Sequence, residues 1–171
     1  MKISSEPLIR AETLQTRVEE MAAVIEEDYR GGALTLVVVL NGALFFAADL
    51  LRRLRADIRL ECVHARSYAG AASTGEVLIQ ARELEFVAGR DVLIIEDIVD
   101  TGRTARALLE RLREQQPASL ALCALLDKTA YREENYSPDY VGFTVNDQFV
   151  VGYGLDFNGR YRHLPQLYVL A

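Results

Sequence analysis

Three apolar runs constrain the fold more than any other feature of the chain. They are "LTLVVVL" (34–40), "DVLIIED" (91–97) and "SLALCALL" (119–126). Each is strand length with an unbroken apolar centre, so each reads as a strand buried on both faces. Amphipathic helices are expected between and before them. In 11–29, Leu14, Val18, Met21, Ala22 and Ile25 fall on one face, and Gly31-Gly32 ends the segment. A turn at Asn41-Gly42 leads into a second helix reaching about Leu54. "IRLECV" (58–63) alternates as a further strand, and "EVLIQAR" is a short one. Residues 102–115 form a helix with Ala105, Leu108, Leu109 and Leu112 facing inward. Strand, helix, strand at this spacing implies right-handed crossovers. The fold class is α/β, a central parallel sheet flanked by helices.

The 171 residues are expected to make one domain, with a core over about 10–135. After about 135 the helical pattern stops. "DYVGFTV" and "FVVGYGLD" read as short strands of a small hood over one end of the sheet, formed by about 136–171 with the N-terminal residues. Ligands of open α/β sheets bind at the carboxyl ends of the strands, so a hood there would cover a site. "RSYAGAASTGE" (66–76) is small and polar between two strands, either a long hairpin loop or a lid.

Net charge is −6, which argues against a broad nucleic-acid or anionic-membrane surface. No signal peptide or membrane span is seen, so a cytoplasmic protein is expected. Cys62 and Cys123 have no CxxC spacing and read as small buried apolar residues. His64 and His163 have no partner at metal-ligand spacing and read as structural or surface groups.

The chemistry concentrates in "VLIIEDIVDTGRTA" (92–105). Glu96 and Asp97 come at the carboxyl edge of a buried strand, and Asp100 follows in the loop. Thr101, Gly102, Arg103 and Thr104 open the next helix, where backbone N–H groups and the helix dipole favour an anion. Carboxylates repel phosphate, but they accept hydrogen bonds from sugar hydroxyls and bind Mg2+. A ligand with a phosphate and a vicinal diol about 6 to 7 Å away satisfies both halves. A sugar phosphate such as ribose 5-phosphate has that shape. The plain alternative is a surface turn with Asp100 capping the helix. GxxxxGK[ST] is absent, and the glycines of "GYGLDFNG" (152–159) do not make GxGxxG.

This stretch closely resembles the phosphoribosyl-diphosphate motif of type I phosphoribosyltransferases. "LNGALFFAADL", "SYAGAASTGEV", "LLDKTAYR" and "VGFTVNDQFVVGYGLDFNGRYRHLP" resemble, in order, segments of the hypoxanthine-guanine members. The resemblance runs from about 35 to 168. It implies transfer of a 5-phosphoribosyl group to a 6-oxopurine, with Mg2+ assisting and pyrophosphate leaving. It implies that Glu96 and Asp97 hold the ribose hydroxyls, with or without Mg2+ waters, and that Asp100 is the general base near purine N7. Asp100 and Thr101, Gly102, Arg103 and Thr104 would cradle the 5-phosphate. Lys128 would donate to the exocyclic oxygen, Phe149 would stack on the base, and the Val150 backbone would bond its edge. Asp156 would border the purine and hold a second Mg2+. Leu40, Asn41, Gly42 and Arg162 would bind pyrophosphate, with a cis peptide at Leu40-Asn41. Many members carry Lys-Gly-Gly or Lys-Gly-Ser where this chain has Asn41-Gly42-Ala43. Ser67 and Tyr68 would begin a lid that keeps water from an oxocarbenium-like centre. A homodimer or homotetramer is implied by resemblance alone.

Two other readings stay open at this level. One is a sister enzyme for xanthine or adenine; Lys128 and the hood favour a 6-oxopurine over adenine and leave xanthine open. The other is an RNA-binding regulator that keeps the fold, for which "RRLR" (52–55) is the nearest basic run.

Overall fold

The computed structural model describes residues 2–67, 77–80, 84–130, 132 and 136–170. The elements in chain order are α1 (Ala11–Asp28), β1 (Ala33–Leu40), α2 (Leu44–Leu51), β2 (Asp57–Ser67) and β3 (Val77–Gln80). A 3-10 turn (Leu84–Val87) precedes β4 (Asp91–Val99), α3 (Arg103–Arg113) and β5 (Ser119–Lys128). The chain closes with β6 (Tyr140–Val145), β7 (Val150–Val151) and β8 (Tyr168–Val169). The main sheet has the order β3-β2-β1-β4-β5-β6, and β7 and β8 pair separately. β2, β1, β4, β5 and β6 run parallel, while β3 pairs antiparallel at the β2 edge.

Alternation along the central strands divides the core in two. Leu34, Leu36 and Val38 of β1 pack with α1, α2 and the hood residues Val150, Tyr153, Leu155 and Leu167. Val37 and Val39 of the same strand pack with Ala105, Leu108, Leu109 and Leu112 of α3. Successive strand residues face opposite sides, so a strand covered by helices on both must be apolar throughout. The five expected inward residues of α1 and the four of α3 are all buried.

Three expectations need correction. "DYVGFTV" is not part of the hood. Its Tyr140–Val145 stretch pairs parallel with β5 as the outermost strand of the main sheet, so the boundary near 135 falls one strand early. The hood keeps only β7, β8 and irregular chain, joined to the N-terminus by bridges Ile3–Leu170 and Ile9–Leu167. Cys62 is exposed, not buried, while Cys123 is buried. α1 packs against β6 and α2 against β1 and β4, so this face of β2 lies outside their cover and Leu60 is also exposed there. α2 stops at Leu51 rather than Leu54, where Arg53 and Leu54 N–H groups turn to carbonyls three residues back. The segment expected as a lid lies mostly outside the described residues. Among the described residues, no helix is long and apolar enough to cross a membrane.

Candidate active site

β1, β2, β4 and β5 all end at one edge of the sheet, and the hood folds over it. A cleft of about 250 Å3 opens there, lined by Asp97, Ile98, Asp100, Lys128, Phe149, Val150, Leu155 and Asp156. Six of these eight were expected from the sequence. Ile98 and Leu155 were not, because an apolar residue beside a motif carries no signal of its own.

β4 supplies the acids. Asp97 faces the cleft and accepts a hydrogen bond from the Ile98 N–H at 3.0 Å. Glu96 does not line the cleft; it is buried at 7% exposure, and its Oε2 has no hydrogen-bond partner. Burial, and then the Asp97 charge, push the Glu96 carboxyl well above the usual range. Burial also lifts Asp97 to about 6; the Ile98 N–H and the Arg162 charge pull it back, and the Asp156 charge pushes it up. Desolvation favours the neutral acid, so this is a pair of carboxylates lacking a cation.

Asp100 does not cap α3. The residue preceding α3 is Gly102, at φ +86°, and the helix start has no side-chain cap. Asp100 turns into the cleft instead, with Oδ1 buried and unpartnered. Its Oδ2 lies 3.7 Å from Lys128 Nζ, and Asp147, which was not foreseen, lies 4.0 Å from the same nitrogen. Lys128 is buried at the end of β5. Thr101, Gly102, Arg103 and Thr104 form the turn into α3, where Thr101 Oγ1 accepts from the Arg103 N–H at 3.4 Å.

The Leu40-Asn41 peptide is cis, as expected. The turn it opens is pressed between the acids and the hood. A Cβ on Gly42 would stand 1.7 Å from Asp97 Oδ2, and one on Gly154 would stand 2.1 Å from the Gly42 carbonyl oxygen. At Gly154 the neighbour is backbone and φ is +103°, so only glycine fits; at Gly42 a side chain would displace the Asp97 carboxylate. The hood is tied down by Tyr153, whose hydroxyl donates to Asp49 Oδ2 on α2 at 2.5 Å. Phe149 is half exposed at the cleft mouth, and its ring meets Phe157 edge-on at 5.6 Å.

Two expected groups hold each other. Arg162 Nη2 lies 2.6 Å from Asp156 Oδ1, and its Nη1 donates to the Gly154 carbonyl at 2.5 Å. Ser67 ends β2 at the same edge of the sheet, and Tyr68 lies outside the described residues. Among the described residues, no three acids, histidines or cysteines close into a metal cage.

A model of the family described as "Phosphoribosyl transferase domain" matches residues 9–158. The chain belongs to this phosphoribosyltransferase family. Among its relatives is the hypoxanthine phosphoribosyltransferase of Escherichia coli K12, 40% identical over 170 residues that cover 98% of this chain and 96% of the relative. The hypoxanthine-guanine-xanthine phosphoribosyltransferase of Tritrichomonas foetus is 38% identical over 164 residues, covering 95% and 90%. A crystal structure of a hypoxanthine-guanine phosphoribosyltransferase from Bacillus anthracis matches with a TM-score of 0.93 at 35% identity, over 99% of this chain and 100% of that one. The phosphoribosyltransferase sheet therefore carries the acids here, and the hood closes the cleft above them.

Proposed function

We propose that the protein is a purine-salvage enzyme that transfers a 5-phosphoribosyl group from 5-phosphoribosyl 1-diphosphate to N9 of hypoxanthine or guanine. The observation that carries this reading is the Asp100–Lys128 pair, 3.7 Å apart in the cleft beside Phe149. A 6-oxopurine with its proton on N7 presents a donor at N7 and an acceptor at O6, side by side. A carboxylate accepts only and an ammonium donates only, so the pair matches that edge. A 6-amino group would turn a donor toward the ammonium, leaving the buried Lys128 poorly matched.

The chemistry follows from this pose. The N9 lone pair forms the bond to ribose C1 as the bond from C1 to the pyrophosphate oxygen breaks. Asp100 takes the N7 proton on its carboxylate. Phe149 offers its exposed ring to the base, and Val150 bonds the base edge through its backbone. Asp97, with Glu96 behind it, receives the ribose diol. Thr101, Gly102, Arg103 and Thr104 take the 5-phosphate. Arg162 and the Asn41-Gly42 turn take the pyrophosphate, which requires Arg162 to exchange its Asp156 contact for the ligand.

Mg2+ fits this donor set. Glu96 Oε2 lacks a partner, and burial raises the pKa of both neighbouring acids. Mg2+ is usually held by one or two carboxylates together with substrate phosphates, so an open acid pair suits it better than a closed cage. Glu96 and Asp97 would hold it, Asp156 would hold a second ion on the pyrophosphate side, and when bound the metal would neutralise charge on the diphosphate. We read the enzyme as cytoplasmic, because its phosphorylated substrate is too charged to cross a bilayer, and as a homodimer or homotetramer from the family resemblance.

The test is pyrophosphate release with Mg2+ and 5-phosphoribosyl 1-diphosphate, offering hypoxanthine, guanine, xanthine and adenine in parallel. Turnover is expected with the first two and little with adenine; the xanthine rate ranks the third oxopurine. Asp100→Asn should lower kcat by about 100- to 10,000-fold, the range of a lost general base. No turnover with any base removes the assignment.

A further inference from the structure

Arg132 has no part in the chemistry above, yet it sits where two parts of that chemistry meet. It follows β5 by four residues and is largely but not fully covered, with 13% of its side chain exposed. Its Nε donates to the Asp100 carbonyl at 3.0 Å. Its Nη2 donates to the Lys128 carbonyl at 3.0 Å, more weakly to the Val99 carbonyl at 3.4 Å, and to the buried Asp127 carboxylate. Its Nη1 donates to the Tyr136 carbonyl. A guanidinium has five N–H donors in a fixed plane, and here it meets five separate acceptors.

The acceptors are not scattered. Val99 pairs with Asp127 across the β4–β5 ladder, so Arg132 closes the carboxyl end of two adjacent parallel strands. Those strands release the chain into Asp100 on one side and Lys128 on the other. We propose that Arg132 is a positioning residue for the transfer reaction, holding the ends of β4 and β5 so that the Asp100 carboxylate and the Lys128 ammonium stay in register with N7 and O6 of one base. The inference rests on the roles assigned above to Asp100 and Lys128.

The physical reason is one of leverage. Both residues are attached where the ladder ends, and a backbone shift there moves a side-chain tip by at least as much. A misplacement of about 1 Å can cost on the order of 100-fold in rate. Lysine cannot substitute, because one ammonium cannot span acceptors on both strands and the following loop. It would preserve the charge beside Asp127 and lose the geometry.

The experiment uses the full chain and four variants, Arg132→Lys, Asp127→Asn, Lys128→Met and the double variant of Arg132→Lys with Lys128→Met, with hypoxanthine and adenine as bases. Arg132→Lys is expected to lower kcat/KM for hypoxanthine on the order of 100-fold. It should also shrink the hypoxanthine-over-adenine preference about tenfold, since a displaced Lys128 no longer reads O6. KM for 5-phosphoribosyl 1-diphosphate should change less than KM for hypoxanthine, because Arg162 and the Asn41-Gly42 turn, which lie away from the Arg132 contacts, share in binding that ligand. In the Lys128→Met background, Arg132→Lys should leave the base preference unchanged, because the residue through which it acts is gone. Asp127→Asn keeps the guanidinium and removes its buried carboxylate, so it should shift the preference the same way by less. This variant also covers the case in which Arg132→Lys does not fold.

An unchanged base preference in every folded variant at Arg132 or Asp127, with activity falling only as thermal stability falls, overturns the proposal and leaves Arg132 a cap on the sheet. A native enzyme that uses hypoxanthine but whose preference survives Lys128→Met overturns the Lys128 reading, and this inference with it. The two failures are therefore distinguishable.

Discussion

The sheet edge and the hood face each other across the cleft, but they are held in place by different means. Asp97 and Asp100 hang from β4, whose Ile94 and Ile95 are fully buried on opposite faces between helices. Phe149, Val150 and Asp156 hang from two-residue strands and a run in which Gly152, Tyr153, Gly154, Asn158, Gly159 and Tyr161 all have positive φ. The sheet edge is fixed by apolar packing. The hood is fixed by close backbone fits and individual hydrogen bonds. In the proposed reaction, proton transfer and sugar binding would rest on the stiffer part, while base stacking would rest on the part that single contacts can shift.

The comparison breaks most directly at Gly154. Alanine there adds a Cβ 2.1 Å from the Gly42 carbonyl oxygen at φ +103°. Gly159→Ala is the control, with φ +75° and open space around the new atom. A left-handed L-residue costs about 1 to 2 kcal/mol, so Gly159→Ala should lose about that much. Gly154→Ala carries a similar backbone cost and an added clash of about 1 to 3 kcal/mol, so the larger loss is expected there. Because the clash pushes on the Asn41-Gly42 turn, KM for 5-phosphoribosyl 1-diphosphate should rise in Gly154→Ala and hold in Gly159→Ala. Thermal melts and initial rates on both variants check this. Equal effects in the two would mean that hood and turn are not coupled.

Much of the sheet half was legible in the sequence and much of the hood half was not. Long apolar runs declare strands buried on both faces, so β1, β4 and β5 could be read directly. β6 was read as a strand but placed in the hood, because an outer strand is covered less and its mixed burial carries no continuous apolar signal. Cys62 misled for a related reason: residue type reports average burial, not whether a helix passes over that point of the sheet. The acids and the turn into α3 were read from the residues themselves, whereas Lys128 and the hood residues were found through their resemblance to a family pattern. Arg132 was not, because its partners are mostly backbone carbonyls, and a carbonyl has no residue identity to read. Gly42 and Gly154 were visible as glycines, but their contact with each other was not.

The sheet half should reveal itself through pH. Asp97 is raised from 3.8 to about 6 in the folded protein, so the folded state holds a proton that the unfolded state releases. Stability from this group is fully present below about pH 4 and is lost as pH rises through about 6. Each tenfold gain in proton affinity on folding is worth about 1.4 kcal/mol, and partial solvent access at Asp97 reduces the total to about 2 kcal/mol. At this chain length that is about 4 to 8 °C in Tm. Glu96 extends the fall to higher pH. Melts of the metal-free protein from pH 4 to 8 should therefore decline, and Asp97→Asn should flatten part of the decline. Mg2+ should raise Tm more at pH 8 than at pH 5, because it binds the ionised acids. A slope unchanged by Asp97→Asn would show that this carboxylate is solvated after all.

The smallest effect sharpens the hood side. Phe157 meets the Phe149 ring edge-on at 5.6 Å and 88°, which fixes the plane that Phe149 offers to a base. An edge-to-face aromatic pair contributes about 0.5 to 1.5 kcal/mol beyond its buried area. Phe157→Leu keeps an apolar side chain and removes that orientation. KM for hypoxanthine should rise by about two- to tenfold on that energy scale. KM for 5-phosphoribosyl 1-diphosphate and the pH dependence of Tm should stay as they are, since neither depends on the plane of the Phe149 ring. Initial rates with each substrate varied in turn separate the two. If the donor KM rose instead, Phe157 would be acting through Asp156 next to it in the chain, and the hood would couple to the pyrophosphate side more tightly than to the base.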